Sequence, residues 1–168
     1  MLHHISTFSA ACRPDKYADM SAMKISTRGR YAVRVMLDLA LHDHGECVKV
    51  KQIADRQKLS EKYLEQIIAI LNKAGYVKSV RGAQGGYRLA KDPSACTVGE
   101  ILRLTEGCLN PAPCLDEGCE GDCDRFDTCE TAELWKRLAD AISGVVDHVT
   151  IADLLEKRKN CEGTESGK

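Results

Sequence analysis

No run of about 18 apolar residues occurs in the 168-residue sequence, so no segment is suited to crossing a bilayer as a helix. The first 22 residues, MLHHISTFSAACRPDKYADMSA, lack the basic start, apolar stretch and small-residue cleavage site of a secretory signal. A soluble, cytoplasmic protein in a reducing compartment is expected. Aromatic residues are scarce, at two Phe, five Tyr and one Trp. Aliphatic side chains must therefore fill the core, which favours helices over a sandwich or barrel. No grouping of nucleophile, acid and base stands out, so an enzyme is not expected.

What is present divides the chain in two. Residues 24–91 carry 14 basic and 6 acidic side chains, net +8, whereas residues 92–168 carry 8 and 17, net −9. A basic segment of this size points to a polyanion partner, nucleic acid being the commonest. The first 22 residues show neither helical nor strand periodicity. Met23, just ahead of the first patterned segment, is read as the start of the protein proper, with residues 1–22 a disordered extension or a mis-called start.

In the basic half, Ser26 or Thr27 can cap a helix whose Ala32, Val35, Met36 and Leu39 follow the spacing of a buried face. VKQIADRQ at 50–57 reads as a short second helix, KLS as a tight connection, and Ser60 as the cap of a third helix. Leu64, Ile67, Ile68 and Leu71 form that helix's inner stripe, and Gly75 suits its left-handed end. A short helix, a three-residue turn and a longer helix with a polar outer face make a helix-turn-helix, whose second helix enters the major groove N-terminus first. Lys62, Tyr63 and Gln66 are placed to meet bases or phosphates. YVKSV and YRLAK read as two strands joined by RGAQGG, a wing with Arg81 at its base. RGAQGG could instead cradle a nucleotide phosphate, but it lacks the Lys-Ser/Thr of a P-loop and no helix follows it, so that reading carries little weight.

MKISTRGRYAV, LSEKYLEQI, GYVKSVRGAQGGYRLAKDP and TVGEIL resemble, in order and spacing, the Rrf2 (Rrf-two) family of bacterial winged-helix transcription regulators, from Met23 to about Lys159. The resemblance implies a homodimer on a partly palindromic double-stranded DNA operator, acting as a repressor. By its IscR-like branch, Ser60, Lys62, Tyr63, Glu65 and Gln66 are recognition residues and Arg81 is the wing arginine; Arg28 joins this DNA-facing set. Glu65 repels phosphate, so it serves to accept from cytosine N4 or to reject wrong sequences.

In the acidic half, Thr97 and Glu100 form a capping box for a short helix ending near Gly107. TAELWKRLADAISGVVDHV carries Leu134, Leu138, Ala141, Ile142, Val145 and Val149 at helical spacing, with little else in the chain to cover that stripe. A second copy is the economical partner, making this the dimerisation helix. Thr150 and Asp153 cap a short final helix. The expected organisation is mostly α with a small β-wing: 1–22 extension, 23–92 winged helix-turn-helix domain, 93–130 short helix and cysteine-rich sensor loop, 131–159 dimerisation helix and final helix, 160–168 disordered tail.

Between the short helix and the dimerisation helix, CLNPAPCLDEGCEGDCDRFDTC holds five of the nine cysteines. It lacks the C-x2-C knuckle of a structural zinc ribbon. With little apolar content it has no folding energy of its own, so ligand bonds are expected to order it. Thiolates hold iron-sulfur clusters, and a cluster in an exposed loop is a switchable strut. Cluster-binding members of the family carry three cysteines here, which match Cys114, Cys123 and Cys129, followed by Leu134-Trp135. The cluster implied is of the 2Fe–2S type, sensing iron-sulfur status, redox or nitric oxide. The family's fourth ligand is a His or a partner-donated carboxylate, and those positions are Ala132 and Arg30 here. Cys119 is the first substitute, then Cys108, with Glu130 or Glu133 as oxygen donors. The alternatives are a metal-free thiol switch, a zinc site, a CymR-like regulator of cysteine metabolism that associates with a metabolic enzyme, or, with no substrate constellation to support it, a small iron-sulfur or zinc redox enzyme. Cys12, Cys47, Cys96 and Cys161 are lone thiols with no role assigned, and Trp135 reads as core beside the loop.

Overall fold

The computed structural model describes residues 25–43, 45–82, 85–116, 123 and 125–165, with side chains to residue 158. The extension at 1–22, the wing tip at Ala83 and Gln84, Cys119 and the last three residues lie outside these. Six helices and one hairpin follow in order: α1 Thr27–Leu41, α2 Val50–Gln57, α3 Glu61–Lys73, β1 Val77–Val80, β2 Gly86–Leu89, α4 Val98–Glu106, α5 Ala132–Val146 and α6 Ile151–Glu165. No helix among the described residues is long and apolar enough to cross a membrane.

The caps are the ones the side chains favour. Ser26 accepts from the Gly29 amide at the start of α1, and Ser60 accepts from the Tyr63 amide at the start of α3. Thr97 and Glu100 exchange hydrogen bonds at α4 as a capping box. Lys58 closes α2 in the left-handed conformation at φ 55°, its amide bonding Ala54 and Asp55, and Leu59 N–H reaches the Ala54 carbonyl at 3.0 Å. A left-handed non-glycine residue costs about 1–2 kcal/mol, offset here by the helix-ending hydrogen bonds that make the turn tight.

Helix α1 is the centre of the core. Ala32, Val35, Met36 and Leu39 are buried against Ile53 and Ala54 of α2, the Leu64, Ile67, Ile68 and Leu71 stripe of α3, Leu89 of the wing, Ile101 of α4 and Ile151 of α6. Cys96, read from sequence as a lone thiol without a role, is a core side chain at 0% exposure, and burial raises its pKa. Inside the same stripe lies a carboxylate, Asp38, 3% exposed. Arg56 of α2 reaches it with Nε at 3.0 Å and Nη2 at 2.6 Å, and Gln57 Nε2 donates to it at 2.8 Å. A buried charge is tolerated only when paired and hydrogen-bonded in this way. The pairing fixes α2 against α1, and with it the start of the helix-turn-helix.

β1 and β2 pair antiparallel with Val77 opposite Leu89 and Val80 opposite Gly86. A third piece, not foreseen from the sequence, is Val48, which exchanges two backbone hydrogen bonds of 2.8 Å with Tyr87. The approach is close enough that a β-carbon on Gly86 would stand 2.5 Å from the Val48 carbonyl oxygen.

The acidic half is tied back by another short pairing: Val98 N–H donates to Val149 at 2.8 Å and Ile151 N–H to Cys96 at 2.9 Å. This seats α6 on α1. The reciprocal Thr150–Asp153 cap forms as expected. α6 is 15 residues, however, and runs past the boundary at 159 where a tail was expected. Gly163 in its last turn costs only about 1 kcal/mol, and no proline intervenes to stop the helix.

Replacing Asp38 by Ala should lower the stability of the protein by about 2 kcal/mol, the scale of lost hydrogen bonds to a charged group. Urea unfolding followed by circular dichroism measures it; an unchanged midpoint would show that the α1–α2 pairing is dispensable.

Candidate DNA-binding face and cysteine loop

Helix α3 projects Lys62, Glu65 and Gln66 into solvent, with Ser60 exposed at its cap. These four share the outer face opposite the buried Leu64, Ile67 and Ile68. Tyr63 differs from the expected exposed residue. It is half-buried, its ring packed edge-on against Tyr31 of α1 with centroids 6.2 Å apart and planes at 87°. Such an edge-to-face pair contributes about 1 kcal/mol and holds the ring in one orientation. Arg28 is exposed in the first turn of α1, and Arg81 is exposed at the end of β1 where the wing begins. The predicted set is thus distributed over three elements, α1, α3 and the wing, all anchored in one core.

Glu106, two residues before the first loop cysteine, reaches the opposite end of this domain. Its Oε1 accepts from the Ser26 hydroxyl at 2.7 Å, and Ser26 is the N-cap of α1. The end of α4, where the cysteine loop begins, and the helix carrying Arg28 therefore share a hydrogen bond. On the other side of α4, Arg103 clasps Asp147 at the end of α5, with Nη2 to Oδ2 at 2.9 Å and a second, shorter contact from Nη1. The Arg103 guanidinium holds the Asp147 carboxyl below its ordinary pKa. Gly99 permits this approach, since a β-carbon there would collide with the Asp147 carboxylate.

Part of the cysteine loop is locally structured. Two single-turn 3-10 helices occupy Pro113–Leu115 and Phe126–Thr128. The Asn110 amide group donates to the Leu115 carbonyl at 2.8 Å and to Asp116 at 3.1 Å, the kind of local side-chain bond by which Asn and Asp stabilise turns.

The thiols differ in chemistry. Cys108 donates to Asp116 at 2.7 Å, and partial burial together with that carboxylate raises its pKa. It is held as a thiol. Cys129 sits just ahead of α5, where the Thr131 hydroxyl, at 3.3 Å from the sulfur, and the backbone amides of Thr131 and Ala132 lower its pKa. Trp135 N–H donates to that same Thr131 oxygen at 3.2 Å. Trp135 is thus half-exposed and hydrogen-bonded beside the loop rather than core. Cys114 lies half-buried in the first 3-10 turn, and Cys123 is exposed.

Among the described residues, no three His, Cys, Asp or Glu side chains are gathered as they would be round a metal ion. Cys114, Cys123 and Cys129 are not brought together, and Cys119 lies outside the described residues. What fits thiolate ligation is the donor chemistry at Cys129, a sulfur stabilised as an anion at a helix N-terminus. Cys108, engaged with Asp116, fits poorly. Glu130 is exposed and bonds Arg125 at 3.4 Å, and Glu133 is exposed in the first turn of α5.

A family model for Rrf2, described as an iron-dependent transcriptional regulator, matches residues 25–157. The chain belongs to the Rrf2 family. The chain is 45% identical over 133 residues to the HTH-type transcriptional regulator CymR of Bacillus subtilis, covering 79% of this chain and 89% of that one. To IscR of Yersinia enterocolitica it is 40% identical over 137 residues, 81% of each chain. A solved structure of T. potens IscR superposes with a TM-score of 0.68 at 44% identity, covering 82% of this chain and 90% of that one. This Rrf2 protein is accordingly a winged-helix, DNA-binding transcription regulator, and its relatives are regulators rather than enzymes.

Three features of this Rrf2 chain escaped the sequence reading: the Asp38 cluster, the Val48–Tyr87 pairing and the Glu106–Ser26 bond. The first had a signal, an acid placed within the Val35, Met36, Leu39 stripe.

In reduced, metal-free protein, alkylation of Cys129 should outpace that of Cys108 at neutral pH. Its midpoint should lie below the ordinary thiol pKa and that of Cys108 above it, because only the thiolate reacts. Mass spectrometry of peptides across a pH series checks this. In Thr131→Val the Cys129 midpoint should move upward.

Proposed function

We propose that the protein is a homodimeric, operator-binding repressor whose affinity for DNA is set by an iron-sulfur cluster of the 2Fe–2S type, held by Cys114, Cys123 and Cys129 with Cys119 as fourth ligand. The observation that carries this reading is Cys129: a sulfur whose surroundings favour the anion, fixed at the N-terminus of α5. The Rrf2 model's iron-dependent description supports iron as the metal. When bound, the cluster would supply oxidant- or nitric-oxide-sensitive bonds between loop segments. The chain's own residues would carry the consequence. Glu106 and Ser26 connect the loop's first turn to α1, and Arg103 and Asp147 connect α4 to α5, so a rearranged loop bears on the elements holding Arg28 and α3.

The dimer rests on α5. None of its residues is buried in the protomer, and Leu134 and Val145 are 56% and 63% exposed. A second copy related by a two-fold would cover the Leu134, Leu138, Ile142, Val145 stripe and set two α3 helices about one DNA turn apart. The wing arginine and the α3 face would then read each half-site, with Arg81 suited to the minor groove.

A second reading is a metal-free thiol regulator like CymR. The depressed Cys129 thiol supports it as well, since a thiolate is also what an oxidant attacks.

Anaerobic purification with iron and sulfide analysis separates the two. The cluster reading expects brown protein with visible charge-transfer absorbance, lost in Cys114→Ala, Cys123→Ala, Cys129→Ala and Cys119→Ala and retained in Cys108→Ala. Colourless wild-type protein without iron or sulfide ends it in favour of the thiol reading. On DNA, Gln66→Ala should relax sequence preference at one base pair by about 1–3 kcal/mol, measured by competition binding, whereas Arg81→Ala should weaken binding on all duplexes.

A further inference from the structure

Arg34 has no part in the DNA-facing set considered so far. It lies on α1, is exposed, and yet is held from two sides. Its Nε donates to the Gln57 side-chain oxygen at 2.8 Å, at the last residue of α2. Its guanidinium carbon stands 5.1 Å from the centre of the Tyr31 ring. Tyr31 in turn packs edge-on against Tyr63 on α3. The guanidinium is thus held by α2 and by an α1 ring that itself packs on the recognition helix.

The supports are themselves fixed. Gln57 uses its amide nitrogen on Asp38, the buried carboxylate that also binds Arg56, so its oxygen is oriented toward Arg34. With Nε committed, both Nη groups of Arg34 have no hydrogen-bond partner among the described residues. A planar cation whose remaining N–H groups are free, and whose orientation is set in advance, has the geometry for two oxygens of one phosphate. Arg28, Lys62 and Arg81 are also exposed cations, but among the described residues no contact of this kind holds them. Ordering such a long side chain on binding costs entropy, a cost already met at Arg34 by the folded domain.

We propose that Arg34 is a pre-positioned clamp for a DNA backbone phosphate flanking the groove that α3 enters, with Gln57 and Tyr31 as its positioning residues. The proposal rests on the DNA-binding reading above. A phosphate contact fixes the register of α3 without reading sequence. Its loss should therefore weaken binding evenly across sequences and reduce the number of counterions released.

The test uses the full-length reduced protein, a duplex selected by the wild type from a random-sequence pool, and a scrambled duplex of the same length. Binding is followed by fluorescence anisotropy across a salt series. Arg34→Gln and Arg34→Ala should each weaken binding about tenfold on both duplexes, as for one charged hydrogen-bonded contact, and should lower the slope of log Kd against log salt by about 0.9. Gln57→Ala should weaken binding about threefold with the slope unchanged, because the charge remains while its orientation is lost. Thermal unfolding of the variants checks that the domain persists. Slopes and affinities of both Arg34 variants equal to wild type would overturn the clamp. Loss confined to the selected duplex would overturn it too, since that is the mark of base readout. Wild type that selects no duplex at all removes the DNA-binding reading, and the clamp with it.

Discussion

Everything in this protein hangs on α1 being enclosed on nearly all sides. Its stripe of Ala32, Val35, Met36 and Leu39 touches α2, α3, the wing, α4 and α6, so one helix is the shared wall of both halves of the chain. A carboxylate within that wall should be destabilising, since an isolated buried charge is among the most costly groups in a fold. Asp38 is accommodated because Arg56 and Gln57 both come from α2. The same bonds give α2 a defined rotation and orient the Gln57 oxygen toward Arg34. Charge pairing in the interior and cation placement at the surface are thus one network.

The second organising feature is the way the acidic half is fastened. Two backbone hydrogen bonds between residues 96–98 and 149–151 seat α6, and the Arg103–Asp147 pair locks the end of α5 to α4. Between those fastenings α5 extends with no buried residue, and the cysteine loop spans the gap between α4 and α5. The loop starts where Glu106 ties the end of α4 to the cap of α1, whereas its other end runs into the first turn of α5, at the opposite end of that helix from Asp147.

Within the loop, local electrostatics separates cysteines that look alike in sequence. Burial and a neighbouring carboxylate push the Cys108 thiol up, whereas a hydroxyl and two amides at the head of α5 bring the Cys129 thiol down. Of these two, Cys129 is the better thiolate donor and Cys108 the poorer.

The sequence by itself determined the helices, their caps, the wing and the charge division, because helical spacing, Ser and Thr caps and glycine turns act over a few residues. The apolar stripe of α5 was equally legible, as was the family through four motifs in register. Tertiary structure decided what depends on residues far apart in the chain. Asp38 meets Arg56 across 18 residues, Ser26 meets Glu106 across 80, and Arg103 meets Asp147 across 44. No periodicity encodes such meetings, since they follow from how helices pack once their apolar faces are buried. For the same reason Cys96 became core and Tyr63 half-buried. Thiol chemistry also had to wait for the fold, because a pKa is set by the neighbours that folding brings within a few ångströms.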